Sequence, residues 1–213
     1  MKIYNIIILD SSGSMYDVRK PSVDGVNETI QTIRAAQKED PENQQNLSLF
    51  AFSSIYPEKI KTLIKFQSIQ TVEELDYNAY NPCGGTPLYD AIGTITQAVK
   101  VLMDPEDKAL VTIITDGYEN ASIQFTARSI KRLTTSLKKK GWIFAYIGAN
   151  QDSVTESEKI GIGNALNFSA DEAGTREMWE KEKRCRRKVY DALKDPSDLD
   201  SKIQTLNNNY FEE

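Results

Sequence analysis

Asp10, Ser12 and Ser14 set a carboxylate and two hydroxyls at alternate positions around a single glycine, Gly13. They directly follow Ile6-Ile7-Ile8-Leu9, an apolar run that reads as a buried strand. Hard oxygen ligands crowded at a strand end are what a hard divalent cation such as Mg²⁺ needs. A second acid, Asp116, closes the near-continuous apolar run from Ala109 to Thr115 and is followed by Gly117. Between the two acids, Asn81-Pro82-Cys83-Gly84-Gly85-Thr86-Pro87 is a tight loop entering a helix, so that Thr86 can project from the same rim. Five oxygen-bearing side chains, Asp10, Ser12, Ser14, Thr86 and Asp116, can therefore meet if the two acid-ended strands are neighbours. In open α/β sheets ligands bind where strand order reverses, outside the carboxyl ends of the strands.

The intervening residues supply the elements for such a sheet. Tyr4 to Leu9 reads as the first strand, and Val23, Val26, Ile30 and Ile33 recur at helical spacing behind Pro21 and Ser22. Leu47 to Phe52 alternates as a second strand, and Lys59 to Phe66 as its half-exposed, antiparallel edge partner. Leu88, Ile92, Ile95, Val99 and Leu102 mark a helix after the glycine loop. Ala127, Ile130, Leu133 and Leu137 mark another, with Lys138, Lys139 and Lys140 at its negative end and Gly141 as its cap. Trp142 to Ile147 is a fifth strand, Ser153 to Lys159 a short helix and Ala165 to Phe168 a sixth strand. A last helix runs from Asp171 to Leu193, stopped by Pro196. The alternation predicts an α/β protein with a doubly wound, mainly parallel six-stranded sheet, helices on both faces and one antiparallel edge strand. Residues 1–195 form the expected domain, and 196–213 a polar, loosely ordered C-terminal tail.

Composition narrows the function. The chain has 213 residues, 39% hydrophobic and 27% charged, enough for one sizeable core. A net charge of −5 argues against general nucleic-acid binding, and no apolar run reaches membrane-spanning length. Histidine is absent, which removes Ser-His-Asp and Cys-His catalysis and histidine-based zinc sites together. Cys83 and Cys185 have no metal-type spacing. The chain opens straight into its first strand without a secretory pattern, so the expected location is cytoplasmic.

Asp10-x-Ser12-x-Ser14, then Gly85-Thr86, then Thr115-Asp116-Gly117 after a hydrophobic strand, resemble in order the metal-ion-dependent adhesion site of the von Willebrand factor A (VWA) domains. The resemblance covers residues 1–193 or so and implies a Rossmann-like VWA fold. The short chain looks more like the intracellular bacterial and phage members than the secreted adhesive ones. The resemblance implies that Ser12 and Ser14 ligate Mg²⁺ or Mn²⁺ through their hydroxyls. Thr86 would bind directly or through water, and Asp10 and Asp116 would act mostly through ordered waters. A metal ringed by neutral hydroxyls stays electrophilic and accepts an Asp or Glu carboxylate from a protein partner. The expected protein is thus a metal-dependent binding module, not an enzyme.

Other readings of the same residues stay open. Asp10 at a strand end also opens the aspartyl-phosphate hydrolases, where it would be a nucleophile beside Mg²⁺. Those enzymes place a second Asp two residues on, and here that position is Ser12. A scaffold with no working metal site is the third reading. Thr86 can be a helix N-cap, and Asp116-Gly117 an ordinary turn. Cys83 near the site can be a redox group or an incidental small residue. Tyr16, Tyr118 and Glu119 can line a partner surface or simply be exposed. Arg176, Lys181, Lys183, Arg184, Arg186, Arg187 and Lys188 interleave with Glu177, Glu180 and Glu182 on the last helix. They read as a solvated, ion-paired face, or as a contact for nucleic acid or an acidic partner. Oligomeric state has no signature in the sequence.

Overall fold

The computed structural model describes residues 1–149, 152–195 and 197–212. Strand β1 (Lys2–Asp10) lies at the centre of the sheet, between β2 (Gln44–Phe52) and β4 (Lys108–Thr115), and pairs with both in parallel. The β3 strand (Ile60–Ser68) runs antiparallel on the outer edge of β2. On the other side follow β5 (Trp142–Ala149) and β6 (Ala165–Phe168), giving the order β3-β2-β1-β4-β5-β6. Strand order reverses between β1 and β4, the two strands expected to flank the crevice.

A strand covered on both faces must be apolar on both, and β1 divides accordingly. Ile3, Ile7 and Leu9 enter one core with α1 (Arg19–Glu39) and α5 (Glu172–Lys194). Tyr4, Ile6 and Ile8 enter the other with α2 (Leu88–Lys100) and α3 (Ala127–Lys138). Ile160, at the end of α4 (Ser153–Lys159), joins that second core. Helix α1 begins at Arg19, two residues ahead of Pro21, which still lies in the first turn, where an N–H is not needed. Gly25 lets α1 and α5 approach closely, since a Cβ there would lie 2.2 Å from the Trp179 ring.

Two expectations need correction. The tail is helical, not loosely ordered: α6 spans Leu199–Asn209 and buries Ile203 and Asn207, with Tyr210 just beyond. The reason is an open sheet edge, because β6 pairs with β5 only from Tyr146 onward. Asn207 Nδ2 donates to Trp142 O at 2.8 Å, and Asn164 Nδ2 to Phe144 O at 2.9 Å, so side chains satisfy the unpaired start of β5. Pro196, expected to stop α5, and Glu213, the last residue of the expected tail, lie outside the described residues.

The second correction is on α5, which is not a wholly solvated face. Glu182 and Arg186 are completely buried and pair at 2.6 Å. The guanidinium also donates to Asn5 Oδ1 at 2.9 Å on β1 and to Thr112 Oγ1 at 2.8 Å on β4. Tyr190 and Tyr210 hydroxyls complete the cluster, donating to Asn5 Oδ1 and Glu182 Oε1. One buried ion pair thus joins the two central strands to α5 and to the end of the chain. Arg186→Met leaves the Glu182 carboxylate buried and unpaired and lowers the unfolding free energy in urea by about 3–5 kcal/mol. The double variant Glu182→Leu/Arg186→Met recovers most of that loss.

Candidate functional site

The carboxyl ends of β1 and β4 carry the two acids to one rim, and the turns after them bring in the hydroxyls. Asp10 is fully buried. Its Oδ1 accepts from Ser12 N at 2.7 Å, and its Oδ2 from Thr115 Oγ1 at 2.5 Å, tying β1 to β4. Tyr80 OH donates to the Asp10 carbonyl at 2.5 Å. A single 3₁₀ turn, Gly13–Tyr16, then sends Ser14 out to the surface. Ser12 Oγ and Ser14 Oγ lie 3.2 Å apart, and Ser14 Oγ donates to Asp116 Oδ1 at 2.6 Å.

Thr86 enters from the second loop, the glycine loop ahead of α2. The N-cap of α2 is Pro87, so the Thr86 hydroxyl caps nothing. A Cβ built on Gly117 would lie 3.0 Å from Thr86 Oγ1 and 3.8 Å from Ser14 Oγ, which puts all three loops in contact. Gly84 has φ +83°, and a Cβ there would press on Ile55, Ser53 and Ser54, so the turn admits only glycine without strain. Gly13 N donates to Gly84 O at 3.0 Å, Cys83 N to Ser11 O at 2.8 Å, and Ser53 Oγ to Cys83 O. The first and second loops are therefore held together by backbone, and Cys83 itself is exposed.

Asp90 and Asn120, which the sequence does not single out, and Glu119, expected to be exposed or to line a partner surface, hold the third loop. Asp90, in the first turn of α2, accepts from Lys59 Nζ at 2.8 Å and from the backbone of Ile123, Gln124 and Phe125, each at 2.9 Å. Glu119 turns inward, accepting from Tyr89 N at 2.9 Å and Ser122 N at 2.7 Å. Asn120 Oδ1 accepts from Thr86 N at 2.8 Å. The free N–H groups that open α2 are thereby satisfied by the loop after Asp116. Tyr16 and Tyr118 remain exposed beside the rim.

Among the described residues, no lysine or arginine pairs with Asp10 or Asp116. Burial pushes Asp10 up to about 7, against the bonds from Thr115 and Ser12. Burial also raises Asp116, partly offset by Ser14. The donor set suits a hard cation. Adjacent ligands of an octahedral Mg²⁺ with bonds of about 2.1 Å stand about 3.0 Å apart, and the two serine hydroxyls are already 3.2 Å apart. As a nucleophile Asp10 is poorly placed, since both its oxygens accept hydrogen bonds and neither meets solvent.

A model of the von Willebrand factor type A domain matches residues 6–179, and the chain belongs to that family. None of the curated proteins compared with it matches. Among solved structures it resembles a von Willebrand factor type A protein from Catenulispora acidiphila at TM-score 0.60 and 17% identity, over 85% of this chain and 42% of that one. The chain thus spans less than half of that protein. It resembles the pilus adhesin SpaC of Lactobacillus rhamnosus GG at TM-score 0.64 and 14% identity, over 89% of this chain and 30% of that one. The manganese-loaded TRAP protein of Plasmodium vivax aligns at TM-score 0.51 and 18% identity, over 82% of this chain and 71% of that one. At these identities the likeness is one of fold.

The Asp90 bonds carry a pH signature. Burial alone would raise its pKa, but Lys59 and the three backbone amides outweigh it and hold the carboxyl below its usual range. A depressed folded pKa stabilises above the unfolded value, near 3.9, and that stability is lost as pH falls through the folded one. Asp90→Asn should cost about 2 kcal/mol at neutral pH and flatten the acid limb of a stability-against-pH curve measured by urea denaturation.

Proposed function

We propose that this VWA domain is a metal-dependent protein-binding module. Ser12, Ser14 and Thr86 would hold Mg²⁺ or Mn²⁺ through hydroxyls, with Asp10 and Asp116 behind them. When bound, the ion supplies an electrophilic centre that accepts an Asp or Glu carboxylate from a partner protein. The observation that carries this reading is the meeting of three loop hydroxyls and two carboxylates at the β1/β4 reversal, with no basic side chain among them. Ser14 is exposed at the rim, so a partner can reach the site, while Asp10 stays buried and fixes the turn that aims Ser12 and Ser14. The exposed Tyr16 and Tyr118 offer flat surface around an incoming acid. The manganese carried by TRAP and the adhesive role named for SpaC are consistent with this use of the fold. No helix among the described residues is long and apolar enough to cross a membrane. We place the protein in the cytoplasm, where the exposed thiol of Cys83 suits a reducing compartment.

Thermal and urea denaturation in rising Mg²⁺ or Mn²⁺ test the reading directly. A cation at a hundred times its Kd should stabilise the protein by about 2.7 kcal/mol, and Ser12→Ala/Ser14→Ala should abolish the effect. A pull-down in Mg²⁺, in EDTA and with the double variant then tests bridging. Retention of a partner only by the wild type in Mg²⁺ is the expected result. An unchanged melting profile in either metal, or a partner held equally in all three conditions, would remove the metal from the mechanism.

A further inference from the structure

Charge is unevenly spread along this acidic chain. From residue 120 to residue 151 there is no Asp or Glu, yet Arg128, Lys131, Arg132, Lys138, Lys139 and Lys140 all fall there. Every one lies on α3 or in the turn that ends it, and all but the half-buried Lys138 are exposed. Several exposed cations on other helices pair with an acid three or four residues away, as Lys20 does with Asp24, Lys159 with Glu156, Arg176 with Glu172 and Lys194 with Asp191. Helix α3 offers no such acid. Among the described residues none of its cations joins an ion pair.

The arrangement costs the free helix something. Arg128 lies in the first turn, where the helix dipole disfavours positive charge. Arg128 and Arg132 stand four residues apart, a spacing at which like charges repel. Such a pattern is relieved by negative charge brought from outside. We infer that the outer face of α3 is a docking surface for an acidic protein segment.

The shape of the charge selects that partner. Arg128, Arg132, Thr135 and Lys139 recur at i, i+4, i+7 and i+11, forming one stripe about 16 Å long at 1.5 Å per residue. The stripe is one helix wide. Helix α4, packed beside it, carries Glu156 and Glu158, and Asp200 of α6 lines the groove at its foot with Lys138 and Lys139. A nucleic acid tracking the stripe would bring phosphates against these acids and against a chain of net charge −5. A narrow peptide with carboxylates about one turn apart pairs with the cations and clears the flanks. This surface is separate from the metal reading and does not depend on it.

Fluorescence anisotropy with a fluorescein-labelled oligoglutamate peptide, at low salt and in EDTA, isolates the surface from any metal-dependent capture. The whole chain should bind the peptide, with affinity falling as salt rises. Arg128→Gln/Lys131→Gln/Arg132→Gln keeps good helix formers and should weaken binding about ten-fold, as losing several interface charges does. Arg176→Gln/Lys183→Gln on α5 should leave it unchanged. Circular dichroism of the triple variant confirms that α3 is intact. Equal binding by all three proteins would overturn the assignment. Tighter binding of a charge-matched DNA duplex, lost in the α3 variant, would assign the face to nucleic acid instead. Self-association lost in that variant, without peptide binding, would assign it to a second copy of the chain.

Discussion

The site depends on one constraint, a carboxylate buried at the end of a strand that is itself buried on both faces. Asp10 cannot turn to solvent, so its oxygens are satisfied from the protein, by Ser12 N in the following turn and Thr115 Oγ1 on the neighbouring strand. The first bond bends the chain out of β1 and aims Ser12 and Ser14. The second locks the reach of β4, and so the position of Asp116 one residue on. Remove the acid, and both the turn and the register of the two strand ends lose their common fixing point. The hydroxyls, neutral groups, are aimed by that turn and by the Ser14–Asp116 bond.

Neutrality of that kind has a consequence for the proposed reading. Two carboxylates raised by burial, hydrogen-bonded by hydroxyls and backbone rather than by cations, make a rim that favours positive charge. In the proposed reading, ligation by hydroxyls would leave a divalent ion under-neutralised, and a partner carboxylate would complete it. Affinity for metal and affinity for the partner would then be linked, each binding better with the other present. The loop after Asp116 matters here as much as the ligands. Asp90, Glu119 and Asn120 tie it to the start of α2, so Thr86 and Asp116 are fixed relative to each other before any ion or partner arrives. Preorganisation of this sort reduces the ordering cost of binding.

Much of this was legible in residue order. Strand β4 read as buried because it is apolar throughout, and the acids were visible because each interrupts an apolar run at its end. The glycine loop announced itself by composition. The bracing residues did not, since a loop acid that accepts from backbone thirty residues away looks like any exposed acid. Glu182 and Arg186 were misread for a different reason. An acid and a base four residues apart have the same signature on a wet face as in a dry one. The distinction lay in helical phase: Met178, Cys185, Val189 and Leu193 form one stripe, and Glu182 and Arg186 fall within it. The tail hid its order in the same way, its polar composition masking Ile203, Asn207 and Tyr210 at i, i+4 and i+7.

The two faces of the sheet consequently carry different burdens. On the α1/α5 side a buried ion pair crosses from α5 to Asn5 on β1 and Thr112 on β4, the two strands whose ends bear the acids. Buried pairs of this kind add little net stability but punish any misalignment, because each partner stranded alone is costly. Strands β1 and β4 are thus held in register twice, by Arg186 midway along and by the Asp10–Thr115 bond at the end. On the α2/α3 side the core contacts are apolar, and the cations of α3 are displayed outward, all but Lys138 exposed. Apolar packing specifies position without specifying charge, so the outer surface of α3 is free to carry unpaired cations while the strands beneath it remain aligned.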